Sequence, residues 1–176
     1  MEINKIHLEG VLLIKPTVFE DNRGYFFESY NQNEFSNSGI SDCLVQDNQS
    51  MSDKNVLRGL HFQREPFSQG KLVRVLQGAV LDVVVDIRKN SSTYGKYFKQ
   101  VLSDANKMML WIPSGFAHGF LTLEDKTVFF YKCTQFYNKA AESSILWCDP
   151  KLAIEWGIQN PIVSEKDSKA PLFENF

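Results

Sequence analysis

Cysteine is scarce in this chain and poorly spaced for chemistry. Cys43, Cys133 and Cys148 are odd in number and form no CxxC pair, which argues against a disulfide framework or a cysteine-based zinc site and leaves them as small buried residues. Histidine is equally scarce. Only His7, His61 and His118 occur, and the residue two after His61 is Gln63, so the HxH spacing that gathers metal ligands on one strand face is missing and no metal is expected. No run of about eighteen apolar residues occurs, and the opening MEINKIHLEG places charges where a signal peptide needs an apolar stretch. Neither a membrane span nor a secretory leader is expected, and the chain reads as cytoplasmic. A charge imbalance is absent as well. Nineteen Lys and Arg against 21 Asp and Glu leave a formal charge of -2, which gives no nucleic-acid footprint and no polybasic membrane patch. An anionic ligand has to be held by a local cluster.

What is present is apolar and aromatic. The 176 residues, 43% hydrophobic and 13% aromatic, suffice for a sizeable core, and one domain over 1–176 is expected. Alternation and β-branched content predict strands at Val11–Ile14, Tyr25–Tyr30, Cys43–Asp47, Val56–Phe62, Lys71–Leu76, Val80–Ile87, Tyr97–Leu102, Met108–Ile112, Ala117–Leu123 and Val128–Thr134. Gly, Pro, Asn and Ser separate many of them, as in Asp21-Asn22-Arg23-Gly24, Gln77-Gly78 and Pro113-Ser114-Gly115. Short helices are expected only at Asn33–Ser38 and after Ser164, where SEKD offers an N-cap and a first-turn carboxylate. Many short strands and little helix predict an all-β jelly-roll barrel.

Strand phase shows where the pattern is unusual. In Val80–Ile87, Leu81, Val83, Val85 and Ile87 share one face, while Asp82 and Asp86 share the other with Val80 and Val84. Lys71 shares a face with Val73 and Val75, and His118 lies between Phe116 and Phe120. Such alternation fits the lining of a barrel mouth. Taken alone, however, the two aspartates read as a solvated outer face. His7 receives no role; His61 and His118, each taken alone, read as hydrogen-bonded core histidines. Arg58 and His61 are three apart, so a regular strand would aim them at opposite faces, and both serve one pocket only if a bulge at Gly59 intervenes.

The stretches DNRGYFFE (Asp21–Glu28), QDNQS (Gln46–Ser50), LRGLHFQ, QGKLVRVLQG, DVVVDIR, WIPSGFAHGF, YKCTQFY and SEKD, in this order, resemble the dTDP-4-dehydrorhamnose 3,5-epimerase family over nearly the whole chain. The resemblance implies a cupin-type jelly roll, a homodimer, no metal or other cofactor, and action on dTDP-4-keto-6-deoxyglucose toward the L-rhamnose precursor of cell-surface polysaccharide. It implies His61 as the base that removes a proton beside the ketone, Asp167 as the carboxylate that orients it, Lys71 against the enolate oxygen, and Tyr131 as the acid on the opposite face. For binding it implies Arg23 and Glu28 at the nucleotide end, contributed by the partner subunit. Gln46, Asp47 and Asn48 match a substrate-contacting strand, Arg58 and Lys166 cationic contacts to the diphosphate or its surroundings, and His118 a further contact. Tyr137 matches the ring stacked on thymine, and Glu142 another binding position. Gln49 departs from the family, which has His in the QDNHS pattern. Open alternatives are an epimerase that inverts only carbon 3 or only carbon 5, a non-catalytic jelly-roll module for carbohydrate or nucleotide, and a metal-dependent cupin oxygenase.

Overall fold

The computed structural model describes residues Met1–Phe176. Two antiparallel sheets face each other. The first holds β1 (Glu2–Lys5), β2 (Leu12–Lys15), β10 (Met109–Ile112), β7 (Lys71–Gln77), β12 (Thr127–Cys133) and β5 (Gln46–Ser52), in that spatial order. The second runs β13 (Glu142–Ser144), β6 (Leu57–Gln63), β11 (Phe116–Thr122), β8 (Ala79–Asp86), β9 (Tyr97–Ser103). A separate hairpin pairs β3 (Phe19–Asp21) with β4 (Gly24–Phe26). The helices are short: α1 (Gln32–Asn37), capped by the Asn31 side chain, and α2 (Glu165–Ser168), where the Ser164 side chain accepts from the Asp167 N–H. This is the jelly-roll class that the strand pattern indicates. No helix is long and apolar enough to cross a membrane.

Alternation distributes the strands' apolar residues over three layers. The inward residues Val73, Val75 and Phe129 of the first sheet meet Val80, Val84, Phe116 and Phe120 of the second, and fill the barrel. The outward residues of the second sheet, among them Leu57, Val83, Val85 and Leu121, are covered by the C-terminal segment through Ile145, Leu152, Trp156 and Phe173. The outer face of the first sheet is covered at Leu12, Leu72 and Trp111 by Phe35 of α1 and by Ile40. Both sheets are therefore apolar on two faces, and polar groups inside the barrel are displaced to one end.

Several expectations require correction. The strand expected over Tyr25–Tyr30 is only Gly24–Phe26, because its partner β3 is three residues long. The one expected at Cys43–Asp47 begins at Gln46 and runs to Ser52, since its ladder with β12 starts at the Gln46 and Cys133 pair. Polar QDNQS disguised that strand: an edge strand beside a cavity needs no apolar alternation. Strands β1, β3 and β13 carry no strong signal and were not foreseen. Only Cys133 is buried; Cys43 and Cys148 are exposed. The solvated-face reading of Asp82 and Asp86 also fails, as both are fully buried. Asp86 is held by Arg88, Ser91 and Thr93, and Asp82 by His118, which is how a carboxylate is tolerated inside.

Candidate active site

Strand β6 turns two polar side chains toward one cavity by breaking its own register. Arg58 and His61 stand opposite Phe120 and His118 of β11, so three steps on one strand match two on the other. The break is at Gly59, whose φ is +140°, and a Cβ there would stand 2.5 Å from the Gly119 Cα. Glycine is required on both counts. The expected bulge is thus present, and Arg58 and His61 line one cavity of about 310 Å³. Arg58 is steadied by its guanidinium donating to Ser52 Oγ at 3.1 and 3.2 Å.

His61 Nε2 lies 2.7 Å from Asp167 Oδ1, the imidazole side chain 35% exposed and the carboxylate 4%. The carboxylate is fixed from behind: Gly59 N–H donates to Oδ2 at 3.4 Å, and the Asp167 N–H donates to the Ser164 cap at 3.0 Å. Burial pushes the Asp167 carboxyl up, but hydrogen bonding and charge from His61, with the Gly59 and Ser164 bonds, outweigh it and hold it below its ordinary value. Asp167 is therefore ionised and accepts from His61 Nε2–H, which leaves Nδ1 as the ring nitrogen free to exchange a proton.

The facing sheet supplies Lys71 and Tyr131 from the inward faces of β7 and β12, with the Lys71 Nζ 5.9 Å from the tyrosine ring centroid. Burial lowers the Lys71 ammonium from its usual value, with Cys133, Asp82 and Glu142 opposing the shift. Burial also raises the Tyr131 phenol, with Cys133 adding to the effect. A tyrosine held above its usual pKa keeps its proton, and a lysine held below loses its charge more readily. His118 lines the same cavity, with its Nε2 2.9 Å from Asp82 Oδ2.

At the rim, Glu142 Oε2 is 2.6 Å from Lys166 Nζ and accepts from Tyr137 Oη at 3.0 Å. Burial raises the Glu142 carboxyl, yet Lys166, Tyr137 and the His61 charge bring it below its ordinary value. The backbone at Tyr137 and Asn138 is clamped from two strands. Gln46 Oε1 accepts from the Tyr137 N–H and Gln63 Oε1 from the Asn138 N–H. Gln46 thus acts on the loop, and does not line the cavity.

Of the residues singled out in the sequence, Asn48, Arg58, His61, Lys71, His118 and Tyr131 are gathered around the cavity, with Tyr137 and Glu142 at its rim. Asp167 stands behind this wall, bonded to His61, and Lys166, an exposed side chain, joins the rim through Glu142. Asp47 is not brought in: it points to the outer face and pairs with Lys132 at 2.7 Å. Arg23 and Glu28 are remote as well. Arg23 is paired with Asp21 on the β3–β4 hairpin, its side chain 86% exposed, and Glu28 accepts from Asn31 Nδ2 near α1. Gln49, where the family has His, lines the cavity. The residue that sequence reasoning missed is Asp82, whose signal was its sharing the inward face of β8 with Val80 and Val84. No group of three or more His, Cys, Asp or Glu is placed to hold a metal ion.

A proton acceptor backed by a carboxylate, a phenol that keeps its proton and an ammonium, all opening on one cavity, suit proton transfer at carbon beside a carbonyl. The family model for dTDP-4-dehydrorhamnose 3,5-epimerase matches residues 5–175. The dTDP-4-dehydrorhamnose 3,5-epimerase of Salmonella typhimurium is 52% identical over 176 residues, covering 99% of this chain and 96% of its own. The crystal structure of the enzyme of that name from Elizabethkingia anophelis superposes with a TM-score of 0.95 at 48% identity, over 99% of this chain and 97% of that one. The dTDP-6-deoxy-D-glucose-3,5-epimerase of Legionella pneumophila, in complex with dTDP-4-keto-L-rhamnose, superposes at 0.94 with 44% identity, over 98% and 93%. On the family model, near-complete sequence coverage and fold alike, the chain belongs to the dTDP-4-dehydrorhamnose 3,5-epimerase family.

Proposed function

We propose that the protein epimerises dTDP-4-keto-6-deoxyglucose at carbons 3 and 5 to give dTDP-4-keto-L-rhamnose. The observation that carries this reading is the His61–Asp167 pair at 2.7 Å, opening on the same cavity as Lys71 and Tyr131 of the facing sheet. The ketone at carbon 4 acidifies the hydrogens on its two neighbours. Neutral His61 takes one of these protons, and the electron pair of the C–H bond passes to the ketone oxygen, where the Lys71 ammonium meets the developing charge. Asp167 holds the ring and stabilises the imidazolium formed. Tyr131 then delivers its proton to the opposite face, restoring the ketone with inverted configuration. Solvent exchange resets both groups, and the same steps serve the second carbon.

Binding is assigned to the cavity's rim. Arg58 and Lys166 supply cations for the diphosphate, Arg58 with a planar fork suited to phosphate oxygens, while Asn48, His118 and Glu142 contact substrate. Tyr137, 54% exposed and fixed by its loop clamps, offers a ring face for thymine. Arg23 and Glu28 are distant from the cavity of their own chain, and their nucleotide role requires a homodimer in which the partner supplies them. The exposed apolar hairpin that carries Arg23 supports such an assembly. Incubation with dTDP-4-keto-6-deoxyglucose in deuterated water tests the activity, following exchange and inversion at each carbon by NMR. Deuterium is expected at both carbons of an inverted product; no incorporation at either would overturn the activity, and incorporation at one alone would reduce it to a single-carbon epimerase.

A further inference from the structure

Beneath the floor of the cavity lies a second histidine–carboxylate pair that the steps above leave unused. Asp82 projects from the inward face of β8 among Val80, Val84 and Phe120, and its side chain is 0% exposed. One oxygen, Oδ2, lies 2.9 Å from His118 Nε2; the other, Oδ1, is buried and has no hydrogen-bond partner in the protein. A buried carboxylate half satisfied in this way costs free energy relative to an apolar residue of similar size.

The neighbour in need is Lys71, a half-buried, desolvated cation with no salt-bridge partner of its own within 4 Å. Its surroundings can be enumerated. β12 presents Cys133 and Tyr131, β8 presents Asp82, β13 presents Glu142, and β10, on the other side of β7, places Ile112 opposite it. His61 and His118 line the same cavity. Of these, only Asp82 and Glu142 are carboxylates, and Glu142 is already engaged by Lys166 at 2.6 Å. Asp82 pairs with no lysine or arginine.

We infer that Asp82 is a positioning residue for the epimerisation: it fixes the ring of His118 through Oδ2 and acts as the buried counter-charge that keeps Lys71 an ammonium against the ketone oxygen. This role rests on the assignment of Lys71 to the developing enolate. Desolvation lowers the Lys71 ammonium from its usual value, and the charge of Asp82 is among the influences that oppose it. With Oδ2 accepting from Nε2–H, His118 is also held in one tautomer and orientation.

The test is Asp82→Asn, which keeps the volume and an acceptor for His118 but removes the charge. In the substrate-free protein, NMR titration of labelled lysine side chains, with the Lys71 signal assigned through Lys71→Met, should show the Lys71 midpoint falling by about one pH unit, the usual scale for losing a neighbouring opposite charge. With dTDP-4-keto-6-deoxyglucose, kcat should drop roughly tenfold or more while KM changes little, and the alkaline limb of kcat should move down with the Lys71 midpoint. A lowered melting temperature with midpoint and limb unmoved would make Asp82 merely structural and overturn the role. If Asp82→Asn does not fold, Asp82→Glu carries the test: the charge remains, so the midpoint should hold while kcat falls, and a midpoint lowered as if the charge were gone contradicts the inference. An unsubstituted protein that leaves the sugar unchanged would overturn the activity and this role together. In an active protein, an Asp82→Asn variant with the Lys71 midpoint unmoved overturns the role alone.

Discussion

Two residues that open on the same cavity are pushed by burial in opposite senses, and this sets how the site should respond to pH. The phenol of Tyr131 is raised and the ammonium of Lys71 lowered from their usual values, shifts that favour loss of the Lys71 proton over that of Tyr131 on the alkaline side. Alkaline inactivation is therefore expected to follow Lys71: the limb should persist in the residual exchange activity of Tyr131→Phe and vanish from that of Lys71→Met. A limb abolished by Tyr131→Phe would reverse the assignment. The same variant separates the two faces of the reaction. Tyr131→Phe keeps the ring and loses the hydroxyl, so deuterium should still enter through His61 while net inversion falls sharply; equal loss of both would leave Tyr131 as a packing residue. His61→Ala and Asp167→Ala should each lower turnover by roughly two to four decades, the span of a positioned base with its support. Near-normal exchange in either would show that the 2.7 Å pair is not the base.

Strands determine whether these side chains meet at all. Gly59→Ala should displace β6 from β11, because a Cβ would collide with Gly119 Cα at 2.5 Å and φ is +140°. Both Arg58 and His61 would move, so activity should be lost together with thermal stability, and a well-folded, active Gly59→Ala protein would mean that the register break is dispensable. At the end of β8, burial raises the Asp86 carboxyl, but the Arg88 guanidinium and N–H and the Ser91 and Thr93 hydroxyls hold it well below the usual carboxylate range. The folded state then binds fewer protons than the unfolded chain. Its stabilising contribution is complete above the unfolded value near 4 and is lost as pH falls toward the folded value. Asp86→Asn should therefore be less stable at pH 7 and lose stability less steeply below pH 4, measured by denaturant titration; parallel curves for the two proteins would contradict it. What could be read in the sequence follows the same division. Alternation revealed the strands that carry the inter-sheet core, and Gly59 marked the bulge, because both are local consequences of backbone geometry. The polar strand β5 and the burial of Asp82 were not legible, because they depend on a cavity that spares a strand from apolar alternation and on a partner, His118, 36 residues away; the partners of Asp86 are local, Arg88, Ser91 and Thr93, but a run of polar residues reads equally well as a solvated turn. Asp47 was misplaced for a simpler reason: within QDN, alternation sends the middle residue outward.

The surface of the whole molecule carries one feature that its own core does not explain. Phe19 and Phe26 are register partners on the β3–β4 hairpin and are 63% and 69% exposed. The aromatics on its other side are tied down: the Lys107 ammonium stands 3.7 Å from the ring centroid of Tyr25, and the Arg74 guanidinium 5.2 Å from that of Phe27, the residue after β4. A hairpin braced on one side and apolar on the other is preorganised for a partner. A stable interface nevertheless needs about 1,200–2,000 Å² in total, more than one short hairpin provides. In the proposed homodimer it is joined by a further surface such as the free edge of β5, where Met51 is 60% exposed. Since Arg23 lies on this hairpin and not at its own chain's cavity, breaking the contact should remove nucleotide ligands from the partner's site while leaving His61, Asp167, Lys71 and Tyr131 in place. The double variant Phe19→Asp, Phe26→Asp is expected to sediment as a monomer, to keep its fold by circular dichroism, and to show KM for the nucleotide sugar raised roughly tenfold or more with a smaller change in kcat, the mark of lost binding contacts. Sedimentation of the unsubstituted protein as a fully active monomer would remove the shared site. A double variant that stays dimeric with KM unchanged would place the interface on another face, and Arg23 and Glu28 outside the binding of nucleotide.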